Sequence, residues 1–283
     1  MNELRYVYAV TRPFGAALPK DLVGVAGSSP YQLRHHELAA VVSDVPATDF
    51  DAGPLKERLE DIDWLSDTAR AHEAVVATLV SVGSPLPLRL ATICRGDSGV
   101  RRLLEAGNDR FVRTLERLDG RVEWGVKVYA RVPASQVSSP APTRLRASTD
   151  QAPGTGRDFL RRRLGERRQE EHSWQSAAVV ARALHAELTS RAQATRLHRP
   201  QQAKLSGASG QNILNAAYLV PRDDSADFIG AVNRLLPDEP GMSGEVTGPW
   251  APYSFTEDPS DDNPFAEVDA SDGDVVGERE ERR

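Results

Sequence analysis

The chain has 283 residues, 40% of them apolar, with a formal net charge of −6. That composition builds ordinary globular cores, and no stretch approaches the ~20 consecutive apolar residues of a membrane helix. A single cysteine, Cys94, excludes an internal disulfide and any multi-thiolate metal site, and fits a reducing cytoplasm.

The charge is uneven. From Glu257 onward there are 11 acidic and 3 basic residues, so the rest of the chain carries a small positive excess. A body so near neutrality is not expected to bind nucleic acid. The opening "MNELRYVYAV" lacks a basic region followed by an apolar core, so no secretion signal is expected.

Leu4 to Val10 is rich in aromatic and β-branched residues and predicts a first strand. "YQLRHHELAAVVSDV" predicts a hairpin, with Leu38 to Ser43 its buried second strand. From Pro54 to about Val82 the pattern is helical, with Asp61, Ile62, Leu65, Ala69, His72, Val76 and Leu79 on one stripe. Leu86 to Cys94 is a continuous apolar run, which predicts a central strand. Asp97 or Ser98 is expected to cap the next helix. A further helix carries Phe111, Leu115 and Leu118 and closes on Gly120. Val122 to Val132 alternates again, which predicts a strand.

Residues 133–155 are rich in Pro, Ser and Ala and read as a linker. A helix roughly 54 Å long, at 1.5 Å per residue, is expected from Arg157 to about Ala192. Its apolar stripe is Trp174, Ala177, Ala181, Leu184 and Leu188, while its first half is mostly charged. A strand at Ile213–Val220, a short amphipathic helix at Asp223–Leu236 and a last strand leading into "TGPWAPYSF" complete the unit. Helices segregate from antiparallel strands, so the fold class is α+β. The expected architecture is two ferredoxin-like sandwiches, residues 1–132 and 156–256, with a disordered acidic tail at 257–283.

Signatures of chemistry are scarce. There is no phosphate-binding glycine loop, no dinucleotide fingerprint and no nucleophile elbow. Gly207 to Gly210 reads as a hairpin loop. His35 and His36 are expected to diverge, because successive strand residues face opposite ways. His72 is expected beside the apolar stripe with a local hydrogen bond. His172 and His185 do not converge on one helix. Cys94 next to Arg95 reads as a buried structural thiol. Asp269 to Glu280 mimics a calcium loop but has Asp274 where the turn needs glycine. Arg161, Arg162, Arg163, Arg167 and Arg168 read as a solvated helix face laced with Glu166, Glu170 and Glu171. No catalytic, cofactor-binding or metal-binding residue is assigned. In Thr247–Phe255, Gly248-Pro249 is expected to stop the last strand. Trp250, Tyr253 and Phe255 are then expected to fold back over the second core.

The pieces "YVYAV", "HE" (His72, Glu73), "LPLRLATI", "WGVKVY", "GRDFLRRR", "LNAAYLV" and "GPWAPYSF" occur in that order over residues 4–256. Together they resemble the gas vesicle protein family GvpF/GvpL. The family's usual "GPWPPYSF" has Ala251 here in place of its first paired proline, and its "LPLRFGT" has Leu90 and Ala91 in place of Phe and Gly. Both swaps keep apolar character and are expected to disturb the fold little. The resemblance implies an accessory protein located with the gas vesicle. It would bind the small hydrophobic shell protein GvpA and prevent its aggregation during assembly, alongside other vesicle accessory proteins. It implies no cofactor and no catalysis. Two other readings stand beside it: a small-molecule regulatory module, and an enzyme using Cys94, His72 or Trp250 and Tyr253 at the domain interface.

Overall fold

The computed structural model describes residues 3–130, 156–200, 210–235 and 242–257. The linker expected at 133–155, most of Gly207–Gly210 and the tail beyond Glu257 lie outside them. The first sheet holds β1 (Leu4–Thr11), β2 (Tyr31–His35), β3 (Leu38–Val45), β4 (Leu86–Pro87) and β5 (Ile93–Arg95). Its order is β2-β3-β1-β4, with β5 also on β1, and all pairs are antiparallel. β1 has neighbours on both edges and packing on both faces, so all eight of its residues are buried. The strand expected at the N-terminus is therefore the centre of this sheet.

The apolar run Leu86–Cys94 is not one central strand. It forms two short edge strands around a turn in which Ala91 adopts φ +62. Prolines at 85 and 87 weaken any ladder there, since proline has no N–H to donate. The Ala91 N–H instead reaches the Tyr6 hydroxyl at 3.0 Å. Leu86 and Leu88 are buried all the same, because they sink into a core rather than line a central strand.

The helical stretch after β3 is also broken, into α1 (Ala47–Phe50), α2 (Ala52–Arg58) and α3 (Ile62–Val82). Asp61 does not lie on the apolar stripe. Its carboxylate accepts from the Asp63 and Trp64 N–H groups and caps α3. Ile62, beside it, is exposed. Next come α4 (Gly96–Ala106) and α5 (Asn108–Leu118). Neither Asp97 nor Ser98 caps α4, whose N-cap is Arg95 without a side-chain bond. Asp97 is taken instead by Arg5, whose Nε lies 2.9 Å from it. Gly120 follows α5 with φ +67, as its expected role at the helix end requires.

The second sheet takes one of its strands from before the expected linker. It holds β6 (Arg121–Ala130), β7 (Ala194–Leu197), β8 (Gln211–Pro221) and β9 (Met242–Trp250), in the order β7-β8-β6-β9. Sequence position alone groups β6 with residues 1–132. It pairs antiparallel with β8 from Arg121↔Pro221 to Ala130↔Gln211, and with β9 on its other side. Its alternating pattern marks a strand with a buried face but does not identify its neighbours. The chain thus passes from one sheet to the other before Arg121, not at residue 132.

α6 (Gly156–Arg191) is a single 36-residue helix, as expected. Ala177, Ala181, Leu184 and Leu188 are buried, while the Trp174 side chain lies outside the described residues. α7 (Ser225–Leu235) buries Phe228, Ala231 and Val232.

Both hydrophobic cores draw on both sheets. One joins Tyr6, Tyr8, Val75 and Leu79 to Val126, Leu184 and Phe228. The other joins Val7, Leu38, Leu104 and Phe111 to Leu219 and Phe255.

Ala91 also revises the expectation about the two swaps. The glycine typical of the resembled family falls at a left-handed position, where a Cβ is disfavoured. Ala91→Gly is expected to raise stability by about 0.5–1 kcal/mol, the Cβ penalty less the extra chain entropy of glycine. A urea midpoint at or below that of the parent chain would contradict this.

Candidate functional site

Where the two sheets meet, a short segment crosses from one to the other. It is the expected terminal motif, in an unexpected conformation. Gly248-Pro249, a cis peptide, does not stop β9, which runs on to Trp250. The pairing slips between Glu123↔Trp250 and Gly125↔Thr247, so β9 carries one extra residue as a bulge. Gly248 sits at φ +130, where a Cβ would fall 2.8 Å from the Glu123 carbonyl oxygen. Glycine is the residue that permits this approach.

The bulge directs Trp250 outward, leaving it 40% exposed, while Ala251 and Phe255 are buried. The expectation that Trp250 closes a core is therefore wrong. Ala251 and Phe255 enter the cores and Tyr253 packs against one of them, where the two sheets meet.

Residues 251–257 are gripped from several elements. Glu123 of β6 accepts from the Ser254 N–H at 2.8 Å and from its Oγ at 2.7 Å. Arg196 of β7 donates to the Ser254 carbonyl at 2.8 Å, and Nε2 of His198 lies 3.1 Å from Ser254 Oγ. From the helices that follow the first sheet's strands, Glu73 of α3 accepts from the Tyr253 hydroxyl at 2.9 Å. Arg117 of α5 donates to the Phe255 carbonyl at 2.7 Å. Arg89 and Glu257 form an ion pair at 2.9 Å.

Burial pushes the Glu123 carboxyl above its ordinary range, opposed by the Ser254 bonds and by Arg196. Burial likewise pushes Glu73 up, opposed by Tyr253.

His72 stands beside this segment. Its bond is not local: Nδ1 lies 3.0 Å from the hydroxyl of Tyr6 on β1. That hydroxyl also accepts from the Ala91 N–H at 3.0 Å, so it links α3 to the turn at Ala91. Burial lowers the His72 pKa from 6.5 to about 4, so the ring is neutral near pH 7.

The other expected residues are scattered. Cys94 is half-buried and burial raises its thiol pKa, which disfavours the thiolate. His185 bonds the Tyr218 hydroxyl through Nδ1 at 2.8 Å. His172 and the calcium-like stretch lie outside the described side chains. Arg161, Arg163 and Arg168 are exposed on α6, and the side chains of Arg162, Arg167, Glu166, Glu170 and Glu171 lie outside the description. His35 and His36 do not diverge. His36 takes φ +51 in the turn, and the two rings approach to 4.3 Å between centroids.

A cleft of about 310 Å³ lies between Thr11, Arg12, Phe14, Leu79, Leu115 and Asp119, away from Cys94, His72, Trp250 and Tyr253. Sequence reasoning missed Tyr6, Glu123, Arg196 and Ser254 as a group. Only the compact "PYSF" string hinted at any of them.

Two outcomes are expected. Phe255→Ala should destabilise by about 3–4 kcal/mol, as for a buried aromatic ring, and Trp250→Ala by roughly 1 kcal/mol or less. Equal urea midpoints for the two variants would refute this geometry. The second outcome concerns pH. The folded pKa of His72 lies below the unfolded one, so its contribution is complete above pH 6.5 and is lost as pH falls toward about 4. That loss is roughly 3 kcal/mol at ~1.4 kcal/mol per pH unit. The stability of His72→Gln should lack this part of the decline, and parallel pH profiles for variant and parent would disprove it.

A family model described as Gas vesicle synthesis protein GvpL/GvpF matches residues 4–257. Gas vesicle protein L of Streptomyces sp. (strain CB03234) is 57% identical over 254 residues, covering 90% of this chain and 93% of that protein. Gas vesicle protein F of the same strain is 29% identical over 267 residues, covering 89% and 99%. The crystal structure of GvpF from Anabaena sp. PCC7120 shares the fold, with a TM-score of 0.63 at 18% identity, covering 90% of this chain and 96% of that one. The match runs through both sheets and through the segment that joins them, and the chain belongs to the GvpL/GvpF family of gas vesicle synthesis proteins.

Proposed function

We propose that this protein is an L-type assembly factor that binds the small hydrophobic shell protein GvpA and keeps it from aggregating until it joins the vesicle wall. The L-type reading rests on the identities of 57% to the L protein and 29% to the F protein of one strain. We also read each sheet with its helices as one ferredoxin-like unit, with the division placed before Arg121.

One observation carries the binding role. Trp250 is 40% exposed at the end of β9, an edge strand of the second sheet. An edge strand offers unpaired backbone donors and acceptors, and an added strand can use them. A large exposed ring at its end supplies an apolar anchor for a partner whose own surface is apolar. Leu197, 62% exposed, ends the opposite edge strand, β7. Among the described residues no helix is long and apolar enough to cross a membrane.

Co-expression with the shell protein should raise the soluble fraction of that protein. Trp250→Ala should reduce capture of the shell protein roughly thirtyfold, the ~2 kcal/mol of one tryptophan hot spot, with little loss of fold stability. Full capture by Trp250→Ala would remove β9 as the docking edge. No gain in soluble shell protein with the parent chain would remove the chaperoning role itself.

A further inference from the structure

The turn between β2 and β3 brings together side chains that the family match does not explain. Strand alternation would send His35 and His36 to opposite faces. His36 leaves the strand at φ +51, and its ring tilts onto that of His35 at 57° with centroids 4.3 Å apart. From the last turn of α4, Glu105 reaches His35, with Oε1 2.8 Å from Nε2. One ligand atom from each of His35, His36 and Glu105 lies within 4.8 Å of the other two.

We propose that His35, His36 and Glu105 form a surface site for a borderline divalent transition-metal cation of the zinc type. Two imidazole nitrogens and one carboxylate oxygen are the donor set such ions take, and a fourth position stays open to water or to an outside ligand. Calcium and magnesium prefer all-oxygen shells and are poorly served here. Ligand atoms around a tetrahedral ion with bonds near 2.0–2.1 Å stand roughly 3.3 Å apart. The widest pair of the trio must therefore close by up to about 1.5 Å. His36 and Glu105 are exposed, which leaves them room to rotate, whereas His35 is partly buried and serves as the fixed post. Glu37, next along the turn, is not counted, because it faces Arg12 at 3.3 Å. A simple surface hydrogen bond explains the His35–Glu105 pair. It does not explain why the His36 ring folds onto the same spot.

The bound ion would fasten the hairpin tip to the end of α4. The test uses the untagged full chain, titrated with ZnCl2 by calorimetry and with Co2+ by absorbance. One equivalent of zinc should bind in the micromolar range, and Co2+ should give tetrahedral ligand-field bands that zinc displaces. His35→Gln and His36→Gln should each weaken binding by at least the roughly tenfold that outer-shell changes cost. Zinc should raise the melting temperature of the parent chain but not of His36→Gln, whose metal-free melting temperature should match the parent. Undiminished binding by the double variant, or no saturable binding by the parent, would overturn the site.

Discussion

Where the two sheets meet, two carboxylates withdrawn from water take their hydrogen bonds from one short segment. Glu123 lies on the central strand β6 and is shut away from water, as Glu73 on α3 partly is. Ionised groups in such places are costly unless hydrogen bonds answer them. Ser254 answers Glu123 through both its N–H and its hydroxyl, and Tyr253 answers Glu73. The segment is therefore more than a lid on apolar surface. Removing it would leave polar groups stranded on two different elements while also withdrawing Phe255 and Ala251 from the cores. This is the physical content of the "GPWAPYSF" string in this chain.

The same segment explains why its aromatic residues part company. Tyr253 and Phe255 are fixed by partners from α3 and α5, so the chain must enter the junction at Ala251, which is fully enclosed. The preceding bulge absorbs the change of direction and leaves Trp250 outside. A ring on a hydrogen-bonded strand has less backbone freedom to lose on meeting a partner than one on a loose loop.

Much of the fold was legible because it is locally encoded. β1, the β2–β3 hairpin, α5 with Gly120, and the Ala181, Leu184 and Leu188 stripe of α6 all follow from periodicity or cap chemistry within a few residues. The failures share a cause. Leu86–Cys94 reads as a strand, yet Ala91 turns because a hydroxyl 85 residues away claims its N–H. β6 reads correctly as a strand, but nothing in its pattern says that β8 and β9 are its neighbours. Alternation predicts that His36 faces away from His35, but it assumes extended backbone, which the positive φ of His36 abandons. At the junction, Glu123 and Ser254 are 131 residues apart, and neither carries a local mark of the other.

The place of β6 bears on how the protein comes into being. A nascent chain completes β6 at Ala130, directly after α5, but the strands that will flank it begin at Gln211 and Met242. On the ribosome, Val122, Trp124, Val126 and Val128 are thus made long before their sheet can form. A protein read as guarding another's apolar surface passes its own synthesis with an apolar strand awaiting shelter.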